Sequence, residues 1–181
     1  MYGLVNQAIQ EMVLENFGDD AWEKIRTEAD ADDFFIAMDQ YPDEVTINLV
    51  GAACKVLGAE AHDVLKTFGN YWVNFTGKTY GSLFDMSGDT FVEFVRNLND
   101  LHTRVGQIMP ELKPPSFSIS DEQEGQFVLH YHSARPGLYP MILGLMEGLG
   151  NRFNTQVEVV HQGGSEQGLD HDEFLVKYWA K

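Results

Sequence analysis

Between residues 110 and 115 the chain stops reading as helix and starts reading as strand, and that switch sets the fold class. Pro110, Pro114 and Pro115 break any helical register, because the ring nitrogen cannot donate to the preceding turn. Ahead of them, apolar residues recur at helical spacing. A first helix carries Val5, Ala8, Ile9, Met12 and Val13 and stops at Gly18, after which Asp19 or Asp20 caps a second through Trp22 and Ile25. Asp43 opens a third with Val45, Leu49, Ala52, Ala53 and Val56, closed by Gly58. The fourth covers Ala61 to Phe75, and the fifth, capped by Asp89, runs from Thr90 to about Ile108. Beyond the prolines, Ser116 to Ser120 and Gln126 to Ala134 read as short strands around an acidic turn, Asp121 to Gly125. A helix from Tyr139 to Phe153 follows, then strand-like runs Gln156 to His161 and Glu173 to Trp179 with a Gly-rich polar link between them. Helices first and strands later predict an α+β fold, with a helical N-terminal part packed on a C-terminal half that holds a small antiparallel sheet. At 181 residues a single domain over 1–181 is expected.

The formal charge of −16 argues against nucleic acid and anionic membrane surfaces as partners, since both reward basic patches. Cys54 is the only cysteine, so neither an internal disulfide nor a cysteine-based zinc site is available, and a reducing compartment is the natural reading. With no signal-peptide pattern and no run approaching a membrane span, a cytoplasmic protein is expected. No Ser-His-Asp spacing, phosphate-cradling Gly loop or paired-carboxylate motif stands out, so no enzymatic activity is expected.

Two features carry chemistry. On the fifth helix, Phe91, Val95, Leu98, His102 and Val105 form one apolar stripe, which puts an imidazole where an apolar side chain belongs. That is first the pattern of a core histidine with satisfied nitrogens, and second that of an axial ligand to a buried haem iron. On the strand from Gln126, residues Phe127, Leu129, Tyr131, Ser133 and Arg135 share a face that begins apolar and ends in three donors. Phenol, hydroxyl and guanidinium together suit a carboxylate, although a strand end running into solvent is polar too. A haem needs an iron ligand, apolar walls and donors for two carboxylates along one edge, and this sequence supplies all three.

The motif Tyr131-x-Ser133-x-Arg135, with His102 about thirty residues before it and Pro114-Pro115 between, resembles the H-NOX family of haem-nitric oxide/oxygen binding domains. Met1-Tyr2-Gly3-Leu4-Val5-Asn6, Phe68-Gly69-x-x-Trp72, Leu98-x-x-Leu101-His102 and Gly144-Leu145 fit the same pattern, which covers essentially the whole chain and extends to the sensor domain of soluble guanylate cyclase. The resemblance implies haem b buried between the two halves. It implies His102 as the proximal ligand, Tyr131, Ser133 and Arg135 on the propionates, and Pro115 pressing on the porphyrin. Val5, Trp72, Met141 and Leu145 match the distal pocket.

Family members that bind oxygen stably carry a tyrosine three residues before the glycine of the Gly-Leu pair, and here that residue is Met141. A thioether donates no hydrogen bond, so a ferrous haem that binds nitric oxide and carbon monoxide and resists oxygen is expected. Trp72 carries the only obvious donor nearby, and Tyr139 should face away, about half a turn from Met141. The resemblance further implies that nitric oxide weakens the iron–His102 bond, letting the haem flatten against Pro115 and the helical part shift relative to the sheet half.

Since no output domain follows Lys181, the expected listener is a separate protein, a histidine kinase or a cyclic-di-GMP enzyme; a chain cut from a longer receptor would instead hold it in cis. Some members bind zinc through clustered cysteines, which are missing here; His161, Asp170, His171 and Asp172 have the donor types to gather a divalent ion but read better as a solvated turn. The rival function is a carrier of an apolar carboxylate without haem, with Arg135 as anchor and His102 structural.

Overall fold

Eight helices and four strands follow one another in a computed structural model that describes residues 1–164 and 167–181. The helices are α1 (Gly3–Phe17), α2 (Asp19–Glu28), α3 (Asp43–Leu57), α4 (Ala61–Thr79), α5 (Gly81–Asp85), α6 (Phe91–Arg96), α7 (Leu98–Ile108) and α8 (Tyr139–Arg152). The strands are β1 (Ser116–Gln123), β2 (Gln126–His132), β3 (Thr155–Gly163) and β4 (Asp172–Ala180). All pair antiparallel, in the order β1-β2-β4-β3. The fold is α+β, as the change of period implies. Residues 165 and 166 of the Gly-rich link lie outside the described residues.

Two apolar cores form, one on each side of the molecule. Ile9, Met12, Trp22, Ile25 and Leu49 close the core of α1 to α3, with Phe68 of α4. Phe94, Phe127, Leu129, Met146 and Phe174 close a second between α6, α8 and the sheet. The strict alternation along β2 sends Phe127, Leu129 and Tyr131 inward.

Helices α4 and α8 join the halves through backbone contact. A Cβ on Gly144 would run into the Lys66 carbonyl, and one on Gly69 into the Met141 carbonyl, so only glycine permits this approach. The glycines of Phe68-Gly69-x-x-Trp72 and Gly144-Leu145 thus have a packing role. Gly144→Ala is expected to cost about 1–3 kcal/mol by overpacking. Urea unfolding checks this, and a loss below about 0.5 kcal/mol, the ordinary surface effect, would contradict it.

Several boundaries differ from expectation. Thr90, not Asp89, caps the fifth helix, its hydroxyl accepting from the Glu93 N–H while Glu93 reaches back to the Asp89 N–H. That helix divides at Asn97, whose side-chain amide donates to the Ser87 carbonyl at 2.9 Å and turns the chain there. The short α5 was not expected at all. β2 ends at His132, so Ser133 and Arg135 leave the sheet on a loop rather than continuing the strand face.

Candidate functional site

A cavity of about 900 Å³ lies between the two cores, near the upper end of the range for ligand pockets. Val5, Trp72, His102, Pro115, Tyr131, Ser133, Arg135, Met141 and Leu145 all line it, so every residue singled out in the sequence reaches one space. α4 contributes Phe68, Trp72 and Thr76 at four-residue steps, one face of the helix. α8 supplies Met141 and Leu145 on the same principle, held against α4 by the glycine contact.

Among the described residues, His102 is the only histidine in the wall. Its Nδ1 is buried with no hydrogen-bond partner of proper geometry, which leaves Nε2 as the nitrogen to serve the cavity. Burial pushes the imidazole below its ordinary value, and the nearby Pro115 carbonyl offsets part of this. A neutral ring with an available lone pair is the form a metal ligand needs. The expected core histidine with both nitrogens satisfied is therefore not what the structure shows. The ring also packs on Phe117, centroids 5.9 Å apart, and Phe117 packs on Tyr131 at 5.4 Å, linking α7 to β1 and β2.

At the polar end, burial raises the Tyr131 phenol above its ordinary value, partly countered by Ser133, so it stays a donor at neutral pH. Arg135 is already engaged. Its Nε donates to Asp43 Oδ2 at 2.7 Å, its Nη2 to Oδ1 at 3.4 Å and its Nη1 to the Lys113 carbonyl at 3.2 Å. Asp43 also accepts from the Met1 amino group at 2.8 Å. The Arg135 bond and that amino group hold its carboxyl down at about 2. Of the five N–H donors of a guanidinium, two remain for a second carboxylate. Asp43 was read as a helix opener only; Pro42 is the cap and Asp43 lies in the first turn of α3. Lys113, a further cation in the cavity wall, was missed as well, and nothing in its spacing marks it.

The Met141 side has few donors. The Thr76 hydroxyl is spent on the Trp72 carbonyl at 2.6 Å. Tyr80 lines the cavity but lies roughly two turns along from Trp72, about 12 Å at the helical rise. Tyr139 faces elsewhere, its ring stacked on His161 at 4.2 Å. Trp72 stacks on Phe75 at 6.0 Å.

The residues fit a haem on the structure's own terms: a neutral imidazole in an apolar wall, a cavity of sufficient volume, and a cationic, hydroxylated rim for carboxylates. Fold and cavity together define a domain built to bury a large, partly anionic cofactor. The chain belongs to the Haem-NO-binding family, whose model matches residues 2–161. This is a family of haem-based gas-sensor domains, not catalytic in themselves, and its cofactor is haem b.

Among solved structures, the fold matches an H-NOX protein from S. oneidensis in the Fe(II)NO state, with TM-score 0.89 and 21% identity over 99% of both chains. It also matches the Fe(II) unliganded H-NOX protein from K. algicida, with TM-score 0.87 and 20% identity over 100% of this chain and 98% of that one. Soluble guanylate cyclase gcy-35 of Caenorhabditis elegans is 26% identical over 94% of this chain and 26% of its own length. The chain spans about a quarter of the length of the curated relatives it matches.

Proposed function

We propose that residues 1–181 form one cytoplasmic haem domain that senses nitric oxide, with His102 as the iron ligand and Tyr131, Ser133 and Arg135 on the propionates. The observation that carries this is the lone His102 imidazole, neutral and short of a partner, in a wall facing a side without a donor at Met141. When bound, ferrous haem supplies an iron atom that takes nitric oxide or carbon monoxide.

The protein's own residues then decide which gas stays and how the event is passed on. Met141 gives oxygen no hydrogen bond, so oxygen is excluded, while nitric oxide and carbon monoxide depend little on one. Beyond the nearby Pro115 carbonyl, the buried Nδ1 of His102 has no hydrogen-bond partner, and a ligand so weakly supported would be less basic and easier to release. By resemblance, Pro115 would press on a bound porphyrin. His102, if released, would free the ring that packs on Phe117 and, through it, Tyr131, so displacement would pass from α7 into β1 and β2. Only the difference in energy between held and released His102 can drive such a shift. By resemblance, the listener is a histidine kinase or a cyclic-di-GMP enzyme.

The test is absorption and resonance Raman spectroscopy of the ferrous holo-protein with nitric oxide. The expected spectrum is one in which imidazole ligation is lost. Retained His102 ligation under excess nitric oxide contradicts the release step.

A further inference from the structure

On the outer face of the sheet, opposite Tyr131 and Phe174, three side chains converge without being needed for the cavity. His130 of β2 lies directly across from Glu173 of β4, and His171 stands just before β4. His130 Nδ1 and His171 Nε2 are 2.9 Å apart, and Glu173 Oε1 lies 3.4 Å from the first and 3.3 Å from the second. All three side chains are largely shielded.

The outward nitrogens of both rings are already committed. His171 Nδ1 is 2.6 Å from Asp170 Oδ1, an acceptor only, so this nitrogen carries the proton and donates. The Ser120 hydroxyl donates to Asp121 Oδ2 at 3.0 Å, and in the matching tautomer His130 Nε2, 2.7 Å from Ser120 Oγ, donates to that hydroxyl. With those tautomers, the two nitrogens that face each other are both lone pairs when the rings are neutral. A carboxylate oxygen stands beside them. Such a triangle is repulsive unless a proton or a metal cation occupies it, and its spacing suits the metal.

We propose that His130, His171 and Glu173 form a binding site for a divalent transition-metal ion, with zinc the ion its donors suit best. Two imidazoles and a carboxylate are a common zinc donor set, with bonds of roughly 2.0–2.1 Å. Tetrahedral bonds of that length place neighbouring ligand atoms about 3.3 Å apart, close to the spacing found here. Each histidine also has the outer partner that fixes a ligating ring, a carboxylate for His171 and a hydroxyl for His130. Water would fill the fourth position. His161 belongs to a different arrangement, paired with Asp172 at 2.9 Å, so the residues of the solvated turn do not gather as one group. A bound ion would tie β2 to β4 beside Tyr131, at the strand end that leads to Ser133 and Arg135.

Zinc chloride titration of the haem-loaded protein by calorimetry, with metal analysis after gel filtration, tests the site. One equivalent of zinc is expected to remain bound and to raise Tm. His130→Gln, His171→Gln and Glu173→Gln should each weaken binding at least tenfold and leave the Soret band unchanged. His62→Gln and His161→Gln should bind as wild type does. Absence of stoichiometric zinc, as for a cluster that shares only a proton, overturns the proposal. So does undiminished binding in the His130→Gln and His171→Gln proteins, or loss of binding in His161→Gln.

Discussion

His102→Gly protein, purified without additives, is expected to lack the Soret band, and supplying imidazole should restore it. Among the described residues no other histidine lines the cavity, so no side chain can take over. The substitution removes a ring from a packed wall and leaves a gap of its own shape, which free imidazole can fill. The coordinate bond should be worth more than the ~1.4 kcal/mol that corresponds to a tenfold change in occupancy. Haem content should therefore fall at least about tenfold. Folding should survive, since the change also removes a buried nitrogen without a partner, and far-UV circular dichroism checks this. The experiment separates the two functions considered from the sequence. A carrier of an apolar carboxylate without haem would show no Soret band even as wild type, and an undiminished band in the variant would remove His102 from the iron.

Met141→Tyr is expected to raise oxygen affinity enough to give a stable oxygen complex. Met141 enters the cavity from the first turn of α8, on the wall brought against Trp72 by the glycine contact. A phenol there would place a donor beside a ligand whose bound form carries negative charge. Hydrogen bonds to charged groups contribute about 1.5–3 kcal/mol, which corresponds to roughly a 10- to 150-fold gain in oxygen affinity. Nitric oxide and carbon monoxide affinity should change much less. Spectra of ferrous wild-type and variant protein in air decide the matter. A stable oxygen complex in the wild type, or no gain in the variant, would mean that another donor, with Tyr80 the first candidate, already serves the bound gas.

What was legible in the sequence were the features that depend on local period. The helical and strand halves, the His102 stripe and the inward alternation of Phe127, Leu129 and Tyr131 follow from 3.6- and 2-residue repeats, and the structure has them. The division at Asn97 was not legible, because it comes from a contact with Ser87 and not from any breaker in the helix. The cap at Thr90 was legible, since Glu93 three residues on completes a capping box, but Asp89 next door offered an equal side chain. α5, at five residues, is too short for a period to declare itself.

Of the site, the sequence indicated the parts but not their long-range company. Arg135 and Asp43 are 92 positions apart, and nothing in either segment announces their ion pair. His130 and Glu173 meet only because β2 and β4 are neighbours in that register. Pairing between strands is a property of the assembled sheet, and the alternation within one strand says nothing about it.

The crossing of α4 and α8 through Gly69 and Gly144 has a bearing on how such a domain can change over generations. Main chain sets the separation of the two helices, so the width of the gas-binding side does not depend on which side chains occupy it. A side chain such as Met141 can be exchanged while the frame stays put. The glycines have no such latitude, because an alteration there moves the frame itself. The spacing of the two helices and the lining of the cavity are thus set by different residues of the same pair.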